Sequence, residues 1–210
     1  MFYKRSLLFL VLFSVLSLSG FTQEEDSFLN QGSIGITFSS LGDNELVRFE
    51  QLIGAPGTRG KHFYTIGVNY LVPLNPTFEL ETGIEYSHHK IMVDPNLPPS
   101  MDQPEYSIHL DVLTLPFGAR VNFLKYFFIS AGGMINLDMS NAAEADKQTG
   151  LGATASLGAQ YDFNQGISVF VNPYLKANGL LPFDSERHHQ RLLVTGWRFG
   201  ILYRLGGNNE

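Results

Sequence analysis

The stretch FELETGIEYSHHK, residues 78–90, decides how the chain is read. Phe78, Leu80, Thr82, Ile84 and Tyr86 alternate with Glu79, Glu81, Gly83 and Glu85. Successive side chains of a β-strand point to opposite faces, so this is a strand with one apolar and one acidic face. Three carboxylates on one face need water or cations, and an apolar face needs other side chains or lipid. The fold follows from which face looks where.

The same period of two continues on both sides. Upstream, Tyr64, Ile66, Val68, Tyr70 and Val72 oppose Thr65, Gly67 and Asn69, and the turn PLNP at 73–76 reverses the chain. Before that, Ile34, Ile36 and Phe38 oppose Ser33, Gly35 and Thr37. Downstream, a Pro-containing loop at 94–105 leads to a strand with Leu113, Leu115, Phe117, Ala119, Val121 and Phe123 on one face and Thr114, Gly118, Arg120 and Asn122 on the other. Its first half, Ile108, Leu110 and Val112, has the opposite parity, which predicts a β-bulge near 112–114, beside Pro116. Four further strands carry the outer sets Phe127, Ile129, Ala131, Ile135, Leu137; Leu151 to Tyr161; Ile167, Val169, Val171, Leu175; and Leu193 to Tyr203.

Links after the second, fourth and sixth strands are short, while 94–105, 141–149 and 184–190 are longer and polar. Short turns at one end and long loops at the other predict an all-β fold, an eight-stranded antiparallel up-and-down transmembrane β-barrel. Strands of roughly 10–14 residues cross a bilayer when tilted ~45°. The polar set holds Glu79, Glu81, Glu85, Arg120, Asp138, Asp162, Lys176, Arg198 and Arg204. A cation facing lipid near the midplane costs about 2–4 kcal/mol, so these residues belong inside, with Arg120 and Arg198 pairing with the three glutamates. Aromatic residues at strand ends (Tyr70, Phe78, Phe123, Tyr126, Phe127, Tyr161, Phe163, Tyr203) suit an interfacial girdle. A soluble sandwich would instead leave the polar set in water.

Composition agrees. Charged residues are 16% of the 210, below the roughly 25% of soluble domains, and aromatics reach 13%. The formal net charge of -6 argues against a nucleic-acid partner, and without cysteine the chain has no disulfide or thiol chemistry. Residues 1–22 read as a signal peptide: Lys4 and Arg5 precede the apolar run 7–18, and Gly20 and Thr22 fit the -3 and -1 positions of a cleavage site. Residues 23–210 then form the barrel domain.

FELETGIEYSHHK, LTLPFGARVNF (113–123) and GWRFGILYRL (196–205) resemble strands of the PorT-like outer-membrane β-barrel domain of Bacteroidetes. The resemblance implies an outer-membrane barrel. Some members of that family are associated with secretion or gliding machinery.

Candidate chemistry is sparse. His62, His88, His89, His109, His188 and His189 all fall near the predicted extracellular rim, where His88 or His89 could lie across from His109. Imidazole is a common metal ligand, but no His-x-x-x-His spacing supports a metal site, and ordinary rim residues are the simpler reading. Ser107, His109 and Asp111 share a face, yet same-face neighbours are ~6.5–7 Å apart, beyond triad contact. The expectation is a non-enzymatic, monomeric outer-membrane protein without catalytic, cofactor or metal residues. It would touch outer-membrane lipid and be structural or meet protein partners through its extracellular loops. The alternatives are a lipid-modifying hydrolase or an accessory component of a secretion or gliding system.

Overall fold

The computed structural model describes residues 32–47, 57–95, 104–140, 147–183 and 190–205. The 1–22 segment therefore lies outside the described residues, as do His188 and His189. Eight strands form one closed ring: β1 (Ser33–Val47), β2 (Gly57–Pro73), β3 (Phe78–Asp94), β4 (Tyr106–Phe123), β5 (Phe127–Asp138), β6 (Gly150–Asp162), β7 (Ile167–Pro182) and β8 (Arg191–Arg204). Every neighbouring pair is antiparallel, and β8 closes on β1. Closure leaves no strand edge unpaired. The meander with short turns at one end is as the sequence predicts.

Strands are longer than expected, 18 residues in β4 and 17 in β2 and β3. The excess lies at the end away from the short turns, and it explains a second difference. No bulge interrupts β4. Its pairs with β3 hold one register from Phe78↔Val121 to Val93↔Tyr106, and its pairs with β5 are equally continuous. Pro116, lacking a donor, falls in the gap between the pairs Thr82↔Phe117 and Glu85↔Thr114, where its carbonyl accepts from Thr82 Oγ1 at 3.0 Å. Ile108, Leu110 and Val112 point inward with the same pleat that turns Thr114 and Arg120 inward. What reverses near Val112 is the polarity of the two faces. Register shifts occur elsewhere, between Ser39 and Leu41, between Gly60 and His62, and between Leu151 and Ala153.

The barrel thus has two storeys. In the lower one the outside is apolar, with Ile36 62% exposed and Ile84 55%, while Thr37, Asn69, Glu85 and Arg198 are buried inside. In the upper one the inside is apolar: Leu46, Phe63, Ile91, Val93, Ile108, Leu110, Val112, Leu192 and Val194 pack in one cluster. Outward neighbours there are polar, including Glu45, Lys61 and His109, all exposed. Apolar side chains leave water on whichever side is drier. Lipid surrounds the lower wall and water the upper one, so the same alternation serves opposite purposes.

Glycines tighten the lower storey. A Cβ on Gly200 would lie 2.3 Å from the Phe170 ring and one on Gly158 2.4 Å from the Phe128 ring. These two glycines make room for aromatic rings, and Gly67 does so for the Glu85 side chain, 2.8 Å from its would-be Cβ. The turn after β4 is tight enough that Leu124 and Lys125 take left-handed φ angles of 49° and 66°.

Candidate functional sites in the lumen and at the rim

Three layers block the lumen. Nearest the short turns, a polar vestibule of about 890 Å³ is lined by Glu79, Asn122, Gln160, Asp162, Ser168 and Arg204 among others. Above it Leu71, Phe128, Phe170 and Leu202 form a small apolar cluster. Arg120, 2% exposed, sits over the Phe128 ring, its guanidinium carbon 3.6 Å from the centroid, and pairs with Glu79 at 3.3 Å. It also donates to Gln160 and, at 3.2 Å, to Asn122.

The ionic layer comes next. Glu85, 1% exposed, pairs with Lys176 through Oε2 and with Arg198 through Oε1 at 3.3 Å. Arg198 also meets Glu81 at 3.2 Å and donates to Asn172 at 3.2 Å. Asn69 donates to Glu81 at 2.9 Å and accepts from Thr37 at 3.2 Å. The expected pairing of Arg120 and Arg198 with the three glutamates is present, divided between two centres. Lys176 is a further partner, visible in the sequence as an inward position but not assignable to Glu85 without the fold. Charges buried this deeply survive only when paired and hydrogen-bonded, as these are.

The apolar upper cluster forms the last layer. His89 is buried within it, stacked on Phe63 at 5.6 Å with Asn44 Nδ2 3.5 Å from its Nδ1. His89 therefore points inward, away from the other described histidines. Asp138, at the top of β5, accepts from the Gln148 backbone amide at 2.8 Å and binds Ser140. Its carboxylate ties Gln148, just before β6, to the end of β5.

On the outer wall the β2–β3–β4 register stacks side chains in rows. Ile66, Tyr86 and Leu113 form one row, Tyr64, His88 and Asp111 the next, then His62, Lys90 and His109. The change from apolar to polar falls between the first two rows. Tyr86 Oη donates to Asp111 Oδ1 at 2.7 Å, and His88 Nδ1 meets the same oxygen at 2.7 Å. His88 Nε2 lies 3.3 Å from His109 Nδ1, and Tyr64 stacks on the His88 ring at 5.5 Å. The expected neighbourhood of His88 and His109 is real. Among the described residues no group of three or more His, Asp or Glu has metal-holding geometry. Ser107 donates to Met92 Sδ at 3.3 Å, while Asp111 engages Tyr86 and His88. The same-face trio is thus not assembled as a triad. The Tyr86–Asp111–His88–His109 chain carries no sequence motif; only the pairing register brings it together.

The girdle at the short-turn end is aromatic as expected, with Phe123 stacked on Phe127 at 6.1 Å, Tyr126 on Tyr161 at 6.1 Å, and Phe163 edge-on to Tyr161 at 4.9 Å.

No known protein family matches the chain, and no curated protein is similar to it in sequence. Solved structures are. The outer membrane protein OprG from Pseudomonas aeruginosa superposes with a TM-score of 0.50 at 11% identity, over 83% of this chain and 95% of that one. Ail, the attachment invasion locus protein of Yersinia pestis, solved with the heparin analogue sucrose octasulfate, gives 0.43 at 13% identity over 83% and 99%. The outer membrane protein AlkL in lipid bilayers gives 0.43 at 13% identity over 90% and 98%. The first of these bears on the fold, that of an eight-stranded outer-membrane barrel. A closed ring with an apolar outer belt, aromatic girdle and ionic interior is the arrangement that spans the outer membrane.

Proposed function

We propose that the protein is a non-conducting, non-enzymatic outer-membrane barrel that holds surface loops at a fixed height for contact with other molecules. The observation that carries this reading is the lumen, filled in succession by Arg120 on Phe128, the Glu85–Lys176–Arg198 centre and the apolar cluster around Leu110. A solute path would have to break buried ion pairs and an apolar core together. Closure of β8 on β1 satisfies every edge within one chain and supports a monomer. The engagement of Ser107 with Met92 supports the absence of hydrolase chemistry at the rim.

The full chain, refolded into lipid, is expected to migrate differently on a gel before and after boiling and to give no steady current in a planar bilayer. Stable conductance steps would refute the closed lumen. An altered lipid A mass spectrum on expression would refute the non-enzymatic reading. The PorT-like assignment rests on the three strand motifs at 78–90, 113–123 and 196–205 and carries the finer reading of an accessory to secretion or gliding machinery. Co-purification of such a complex with the tagged chain tests it, and isolation of the barrel alone would count against it.

A further inference from the structure

Two imidazoles on the outer wall, just above the apolar belt, face each other nitrogen to nitrogen. His88 Nε2 and His109 Nδ1 are 3.3 Å apart, with their ring planes 30° from parallel. Two nitrogens that each bind zinc at about 2.0–2.1 Å in a tetrahedral shell stand about 3.3 Å apart. The pair is a product of the register: His88 lies opposite Asp111 and Lys90 opposite His109, which makes the histidines diagonal neighbours on β3 and β4. No run of sequence displays that spacing. The surroundings of His88 are those of a metal ligand. Asp111 Oδ1 holds its Nδ1 at 2.7 Å, which keeps the proton on Nδ1 and leaves the Nε2 lone pair toward His109. Tyr86 Oη donates to the same oxygen at 2.7 Å and so fixes the carboxylate. Tyr64 stacks on the His88 ring at 5.5 Å and 27° and holds its plane. His109 is exposed, so its proton can sit on Nε2 in water and free Nδ1.

We propose that His88 Nε2 and His109 Nδ1 together bind a divalent ion of the zinc, copper or nickel class. Water completes the shell, and Asp111 orients His88 without touching the metal. Paired imidazoles select such ions over calcium and magnesium, which require oxygen ligands. The Asp111 carboxylate also places a negative charge beside the site, against the ammonium of Lys90 that neighbours His109 in the row. The site lies at the height of Tyr64 and Tyr86, the tyrosines an interface favours, and opens to water through His109. It does not depend on the lumen being closed.

The test uses the full chain without an affinity tag, refolded in phosphatidylcholine nanodiscs and titrated with Zn²⁺ in a calorimeter. His188→Ala and His189→Ala are carried throughout, to remove two adjacent imidazoles from the comparison. This parent is expected to bind one zinc ion per chain, and His88→Ala or His109→Ala to lose that binding. Asp111→Asn should keep the stoichiometry and weaken the affinity about 10–100-fold, as loss of a ligand-orienting partner does. His62→Ala, altered opposite Lys90 on β2, should bind as the parent does. Heat-dependent gel mobility shows that each variant has folded. Nitrogen-15 shifts of His88 Nε2 and His109 Nδ1 on adding zinc to the parent locate the site without any substitution at it. Absence of zinc binding, unchanged affinity in a folded His88 or His109 variant, shifts confined to other histidines, or equal loss in His62→Ala would overturn the proposal. Displacement of zinc by millimolar calcium would overturn it too, and unchanged affinity in Asp111→Asn would overturn the role given to Asp111.

Discussion

Replacing Glu85 by alanine tests the ionic layer at its most exposed point of logic. The carboxylate is 1% exposed and holds two cations. Without it Arg198 keeps Glu81 and Asn172, both at 3.2 Å. Lys176 keeps only the weak attraction of the Tyr174 ring, 5.2 Å away, and so becomes the stranded charge. Removing one partner of a buried pair typically costs about 3–5 kcal/mol, because the other charge remains desolvated. Replacing Lys176 by methionine in the same chain removes that charge while keeping its bulk. The double variant should therefore recover most of the loss, with a coupling energy of at least about 1.5 kcal/mol. Urea unfolding in phosphatidylcholine vesicles can be followed by emission of Trp197, the chain's single tryptophan, which is 49% exposed on the outer wall. A loss below about 1 kcal/mol for Glu85→Ala, or strict additivity in the double variant, would refute the claim that the pair is mutually dependent.

Other expectations follow from the two storeys and the turns. Ile84→Lys should cost about 2–4 kcal/mol in vesicle unfolding, whereas His88→Lys, one row above the belt, should be close to neutral; equal costs would misplace the boundary. Leu110→Ala, in the apolar upper cluster, should cost about 2–5 kcal/mol in the same assay, and a neutral result would mean that the cluster is not packed. Gly200→Val should prevent the heat-resistant folded band from forming, since its first carbon would meet the Phe170 ring at 2.3 Å. Adding Phe170→Ala should restore that band. Lys125→Gly should raise stability by about 1 kcal/mol by relieving a left-handed backbone, as urea midpoints would report.

Alternation made the wall of the barrel legible. From Phe78 to Tyr86 each residue's side is fixed by period two, and the same reasoning placed Arg120, Lys176 and Arg198 inside. The upper storey was misread for a physical reason. Ile108, Leu110 and Val112 change the parity of the apolar set, and a sequence cannot distinguish a slipped pleat from a changed solvent. The true register shifts, at Ser39/Leu41, Gly60/His62 and Leu151/Ala153, fall where polarity gives no sharp contrast. At the rim, the proximity of His88 and His109 was readable from strand adjacency. The bond from Tyr86 to Asp111 was not, because it depends on which residues of β3 and β4 face each other. Likewise His89 differs from His88 by one position and so lands among apolar side chains.

The reversal of polarity along β3 also sets a standoff. From His88 to the end of the strand the wall runs through water with its own core, over roughly seven residues at ~3.3 Å each and a ~45° tilt, which lifts the strand tips about 16 Å above the tyrosine row. The tips are anchored by packed side chains, so this height belongs to the stem and not to the sequence grafted between its strands. Segments could be exchanged there, by evolution or by an engineer, and the new ones would be displayed from the same pedestal.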